Sequence, residues 1–270
     1  MKEPRTALIT GTSTGMGRAM ALWLCREGYR VYAATRTPEK LAAVASERLV
    51  PLGMEIADPG SVERAMEKID RIDLLVNNAG YGLVGAVEHV DETQMHEQFE
   101  VNVFGLLRVV RHAVPKMRDE GGVIVNISSF LGKIGLPLLT FYNASKYAVE
   151  GITDSLRYEL SSFGIRVHSV MPGFFDTEFA RSNLVKNAKT FRDESPYADL
   201  VSVLAPQIVE QINGGNDPEE IAKLVVWLDR TPEAPARVTA GDKAKKFIPM
   251  RRELSDEDFE RRVREYYGLL

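Results

Sequence analysis

Tyr142 and Lys146 stand four residues apart in Tyr142-Asn143-Ala144-Ser145-Lys146. Positions i and i+4 share one face of a helix, so a phenol and an ammonium at this spacing can point into one cleft. A free phenol has a pKa of about 10. An adjacent cation favours phenolate and draws that value down. A phenol tuned in this way exchanges a proton with a substrate oxygen near neutral pH. Ser129 follows the apolar run from Gly122 to Ile127, which reads as a strand. Ligands of open α/β sheets bind at the carboxyl ends of strands. A hydroxyl placed there can bond a substrate oxygen and stabilise developing charge. Ser128 is an adjacent rival for that role.

A second group of residues suits phosphate. Thr10-Gly11-Thr12-Ser13-Thr14-Gly15-Met16-Gly17 follows the first apolar run and opens the first helical one. Gly11 permits a tight turn, Gly15 lets backbone approach a pyrophosphate, and Gly17 allows close packing of helix on strand. The unpaired N–H groups at the helix start favour an anion. The Lys-Ser/Thr ending of a nucleotide-triphosphate loop is missing, so the turn reads as a dinucleotide site. The second strand ends Ala33-Ala34-Thr35-Arg36-Thr37 without an acid. A carboxylate there would select a ribose 2′-hydroxyl, whereas Arg36 can hold a 2′-phosphate through two N–H groups. The expected cofactor is therefore NADP(H), and its oxidised ring would add positive charge beside Tyr142.

These residues need a frame. Strands are expected over Thr6 to Thr10, Arg30 to Thr35, Leu49 to Ile56, Asp73 to Asn77, Gly122 to Ile127 and Ile165 to Met171. Helices are expected over Met16 to Arg26, a short stretch from Pro38, Ser61 to Ile69, Thr93 to Met117 and Tyr142 to Ser162. Such alternation with apolar strands implies an α/β fold: a doubly wound parallel sheet with helices on both faces. No linker divides the chain, so residues 1–270 are expected to form a single domain. Residues 173–215 break the rhythm, and Phe174, Phe179, Phe191 and Leu204 make that segment too apolar for a solvated connection. It is expected to be a substrate-binding lid insertion. Residues 242–270 should form a helical tail, in which Ser255 is a plausible N-cap and Phe259, Val263, Tyr266 and Tyr267 lie near one face.

Composition narrows the classes. The chain has 44% hydrophobic and 27% charged residues and a net charge of −4, so no global basic field recruits nucleic acid. One cysteine, Cys25, and four scattered histidines provide neither a disulfide nor a metal-ligand pattern. No stretch approaches the ~20 apolar residues of a membrane span, and the N-terminus lacks a signal-peptide pattern. A cytoplasmic protein is expected. The sequons at Asn126 and Asn143 are then chance matches.

Taken together, Thr10-Gly11…Gly15…Gly17, Asn77-Asn78-Ala79-Gly80, Asn102, Ser129, Tyr142…Lys146 and Pro172-Gly173 resemble the short-chain dehydrogenase/reductase family in order and spacing. The resemblance implies a Rossmann sheet and a reaction between a carbonyl and an alcohol. In it Tyr142 is the general acid or base, and Lys146 holds the nicotinamide ribose. Ser129 orients the carbonyl, and Asn102 holds a water of a proton relay. It also implies cofactor contacts from Ser13, Thr14, Met16, Glu55, Ile56, Asn78, Ala79, Gly80, Pro172, Gly173, Phe175 and Thr177. Glu55 stands where many members carry aspartate. The stretch from Ser129 to Phe179 and the tail from Arg237 to Arg252 look like hydroxysteroid and retinol dehydrogenases, which suggests a lipophilic substrate. A homodimer or homotetramer packed through the two long helices is implied as well. The alternative is a non-catalytic NADP(H)-binding sensor, which has no need of Asn102, Ser129, Tyr142 and Lys146 together.

Overall fold

The computed structural model of the chain describes residues 3–179 and 183–269. The apolar runs become the strands β1 (Thr6–Thr10), β2 (Arg30–Thr35), β3 (Leu49–Gly53), β4 (Leu74–Asn77), β6 (Gly122–Ile127) and β7 (Ile165–Pro172). With β9 (Arg237–Ala240) they build a seven-stranded sheet, ordered β3-β2-β1-β4-β6-β7-β9. Every pairing in it is parallel. The order reverses between β1 and β4, which opens a crevice beyond the carboxyl ends of those strands. The fold is thus the single-domain α/β sheet that the alternation implies.

Strand periodicity sorts the core onto two faces. Ala7, Ile9, Leu74, Val76, Val123 and Val125 point to one side. There they meet α1 (Gly15–Arg26) and α7 (Glu219–Arg230), through Met20, Leu24, Ile221 and Val225. Leu8, Leu75 and Ile124 point to the other side. They meet α2 (Pro59–Met66), α4 (Leu106–Ala113) and α5 (Thr140–Leu160). A polar ladder crosses between the layers. Asn77 donates to Asn126 at 2.9 Å, Asn126 donates to Thr153 at 3.0 Å, and Thr153 returns to the Val149 carbonyl at 2.8 Å. Both sequon asparagines are buried.

A third core covers the carboxyl edge of the sheet. It joins Phe130 and Met171 to α6 (Ala198–Asn213), α8 (Gly241–Glu253) and α9 (Asp256–Tyr267). Ser255 accepts the N–H of Asp258 and so caps α9. Residues 180–182 of the 173–215 segment and residue 270 of the tail lie outside the described residues. Within that segment, β8 (Leu184–Lys186) pairs in parallel with β5 (Gly82–Val84). No described helix is long and apolar enough to cross a membrane.

Two departures from expectation bear on the site. The strand expected to reach Ile56 stops at Gly53, because Met54 to Ile56 leave the sheet toward the crevice. The long helix expected from Thr93 to Met117 is divided. It runs as α3 (Glu92–Phe99), a wide π turn over Glu100–Gly105, and α4. Gly105 sits in that turn, where a Cβ would lie 2.9 Å from Ile56.

Candidate active site

The glycine turn lies in the crevice between β1 and β4 and is shaped by contacts that admit no side chain. Gly11 and Gly15 have φ of 71° and 55°, in the left-handed region. A Cβ on Gly17 would stand 2.1 Å from the Gly11 carbonyl oxygen. Asn78 ties the turn down: its amide donates to the carbonyls of Thr10 at 2.9 Å and Gly11 at 3.1 Å. The Thr10 hydroxyl accepts the N–H groups of Asn78 and Ala79, both at 3.0 Å. Thr14 supplies no side-chain cap to α1, so the first-turn N–H groups remain available to an anion. These donors and this cradle fit the pyrophosphate of a dinucleotide.

The crevice wall contains Gly11, Ser13, Thr14, Gly15, Met16, Gly17, Arg36, Glu55, Ile56, Asn78, Ala79, Gly80, Tyr142, Lys146 and Thr177. Pro172, Gly173 and Phe175 are placed elsewhere, in the wall of an adjoining apolar cavity. Arg36 is exposed, with Nε 3.6 Å from the Glu55 carboxylate. Two residues expected to contact the cofactor are therefore neighbours. A phosphate at Arg36 would have to share the guanidinium with Glu55.

Helix α5 places Tyr142 and Lys146. It begins after Leu138, the one described non-glycine residue in the left-handed region, with φ of 63°. The Leu138 carbonyl accepts the N–H of Gly85 at 2.7 Å, which fixes this unusual approach. Tyr142 and Lys146 share a face of α5, with Nζ 5.8 Å from the phenol ring centroid. Lys146 is buried and donates to the Ile127 carbonyl at 2.9 Å, at the end of β6. Ser129 is buried beside the same strand end, and its hydroxyl accepts the N–H of Leu131 at 3.1 Å. Both Ser128 and Ser129 face the apolar cavity, while only Ser128 also faces the crevice.

Electrostatics in the chain alone runs against the expected direction at Tyr142. Tyr142 is partly exposed, as a residue walling two cavities must be. Its phenol is nevertheless set deep, and burial pushes it up to about 12. The Ser129 hydroxyl pulls it the other way, and Lys146 is not among the causes. Lys146 is itself shifted: burial lowers its ammonium to about 8, against the opposing charge of Glu150. Desolvation weakens both partners as ions. Cys25 is half-buried with its thiol pushed up by burial, which does not suit a nucleophile.

Asn102 sits in the π turn, buried, and its hydrogen bonds go to protein. Its amide donates to the Tyr81 carbonyl at 2.9 Å and the Ser145 hydroxyl at 3.0 Å, and its oxygen accepts the Tyr81 N–H at 3.1 Å. Ser145 passes the connection to the Tyr142 carbonyl at 2.7 Å. Gln98, which the sequence reading missed, completes this clamp. It is fully buried, donates to the Tyr81 carbonyl at 2.9 Å and accepts the Leu83 N–H at 2.7 Å. Its signal was available: Gln98 and Asn102 are an i, i+4 pair of amides on one helical face.

Beyond Tyr142 lies the apolar cavity. Val84, Phe130, Leu139, Phe174, Phe179 and Ile208 are among its walls, with Ser128, Ser129 and Tyr142 as polar points. Tyr142 faces both spaces, so the phenol stands at the junction of the glycine-turn crevice and an apolar chamber.

A family model described as short chain dehydrogenase matches residues 5–188. An uncharacterized oxidoreductase of Schizosaccharomyces pombe is 32% identical over 269 residues, covering 96% of this chain and 89% of that protein. A 3-ketodihydrosphingosine reductase of Bacteroides thetaiotaomicron is 32% identical over 240 residues, covering 88% of each. The crystal structure of a short-chain dehydrogenase from Streptomyces avermitilis matches with a TM-score of 0.84 at 29% identity, covering 100% of this chain and 98% of that one.

Proposed function

This chain belongs to the short-chain dehydrogenase family, and from that premise we propose that it is an NADP(H)-dependent oxidoreductase interconverting a lipophilic carbonyl and its alcohol. The observation that carries the reading is the position of Tyr142, between the crevice of the glycine turn and the apolar cavity. A bound nicotinamide dinucleotide would supply hydride equivalents to the carbonyl carbon. Tyr142 gives its proton to the carbonyl oxygen in reduction and recovers it in oxidation. The Ser129 hydroxyl bonds that same oxygen as charge develops. Lys146 has three donors, of which one goes to Ile127; the others serve the ribose and the proton path. Asn102, through Tyr81 and Ser145, holds the crevice wall and α5 in register. The apolar walls exclude water from the reacting oxygen.

Arg36 at the end of β2, with the Thr35 and Thr37 hydroxyls beside it, supports a 2′-phosphate on the cofactor. The apolar cavity supports a steroid-, retinoid- or fatty-carbonyl-like substrate. Residues 173–215, which provide Phe174, Phe179, Phe191 and Ile208 to its walls, act as its lid. Tyr142→Phe tests the reading: carbonyl-dependent NADPH oxidation should fall by a factor of at least ~10³, with NADPH affinity changed less than about threefold by fluorescence titration. Full turnover in that variant refutes the role of Tyr142. Tight NADPH binding by the wild type without turnover of any carbonyl in a broad panel would favour the sensor.

A further inference from the structure

Among the described residues walling the apolar cavity, Lys186 is the one with a charged side chain. It ends β8, where strand alternation turns Leu184 and Lys186 to the cavity and Val185 to the crevice. Pairing with β5 places it opposite Val84, itself a wall residue. Its ammonium lies 5.3 Å over the Phe191 ring and joins no ion pair among the described residues. Lysine commonly lays its stem on apolar surface and directs its head to water. Here the head has an evident exit, because Lys186, Phe191, Ala205 and Val209 also line an open groove outside the cavity. The cavity therefore has two distinct borders. At Tyr142 it meets the glycine crevice, and at Lys186 it meets the groove. The path between them is walled by Phe174, Leu184 and Ile208.

We propose that the substrate is an apolar carbonyl compound bearing a carboxylate at its far end, and that Lys186 is the residue that selects it. The inference rests on the oxidoreductase reading and narrows it to one substrate class. The carbonyl lies at Tyr142, the hydrocarbon fills the chamber, and the carboxylate meets Lys186 at the mouth. A cation above an aromatic ring, with no ion-pair partner among the described residues, is ready to accept an anion. Glu210 lines the outer groove but not the cavity. Its charge is screened by solvent there and does not set the sign at the chamber mouth.

The test compares an ω-oxo fatty acid with its methyl ester of equal chain length, using NADPH at neutral pH. The wild type should prefer the acid by about tenfold in kcat/KM, the scale of a hydrogen bond to a charged group. Lys186→Met should bring the ratio to about one and Lys186→Glu should reverse it, while Glu210→Gln moves it less than about twofold. An unchanged ratio in Lys186→Met overturns the proposal. Calorimetry with decanoate and decanol, neither of them a carbonyl substrate for reduction, reads the anion site apart from turnover. Decanoate binding that depends on Lys186 supports the proposal, and equal binding of the two ligands to the wild type overturns it. Lys186-dependent decanoate binding without turnover of either oxo compound would sink the redox reading and leave the anion site standing.

Discussion

At the scale of single residues, the site holds two groups whose ionised forms burial disfavours, Lys146 and Tyr142. Lys146 is lowered from 10.5 to about 8 by desolvation. A folded-state value below the unfolded one means that the folded protein holds fewer protons in the window between them. The cost of burying the ammonium is therefore present below about pH 8 and relieved as pH rises toward 10.5. The melting temperature of the wild type should rise relative to Lys146→Met between pH 8 and 10; a difference flat across that range would contradict the burial. Tyr142 works in the opposite sense, since its raised value lets stability fall only above the ordinary phenol range. Arg36 offers a separate measurement. It is exposed beside Glu55, and the NADP(H) proposal makes it the selector between cofactors. Arg36→Ala should weaken NADPH by about tenfold in fluorescence titration, as expected for loss of a charge-assisted bond, and leave NADH within about twofold. Residue types and spacing made Tyr142, Lys146 and Ser129 legible as candidates. The direction of the Tyr142 shift was not legible, because it depends on how deeply α5 sets both groups, and that depth comes from packing.

At the scale of elements, close approach of backbone explains more than propensity does. The helix α1 can lie against the glycine turn only because Gly17 presents no side chain to Gly11. Gly17→Ala should destabilise the fold by about 1–3 kcal/mol through overpacking and abolish dinucleotide binding; chemical denaturation and NADPH titration check the two effects. Retained binding with native stability would show that the turn is looser than its contacts indicate. Strand limits were clear in β1, β2 and β6, where apolar runs end abruptly at polar residues. β5, β8 and β9 have three or four residues each and are too short for periodicity to declare. The π turn at Glu100–Gly105 was equally hidden. One extra residue in a helical turn leaves the apolar pattern nearly intact while it rotates Asn102 toward Tyr81.

At the scale of the whole molecule, sheet and helices together prescribe where other molecules can meet the chain. Phe104, Leu107, Tyr147 and Tyr158 are exposed large side chains on the stretch from the π turn through α5. A second copy packed through these long helices would cover side chains of this kind. Phe104→Glu combined with Tyr158→Glu should shift sedimentation to the monomer; an unchanged sedimentation coefficient would place the contact elsewhere. The doubly wound class was readable from alternation, and α9 with its Ser255 cap was readable from its apolar face, whereas α6 was visible only as an excess of apolar residues without a topology. The small ribbon of β5 and β8 has a further consequence for how the molecule comes into being. Its strands meet across roughly a hundred residues of intervening chain, and closing so wide a loop is entropically slow. Most of the glycine crevice is encoded before α5 leaves the ribosome, but the chamber mouth cannot assemble until Leu184 to Lys186 have emerged. Until those residues are in place, Phe179 and Phe191 lack one wall of the chamber they line.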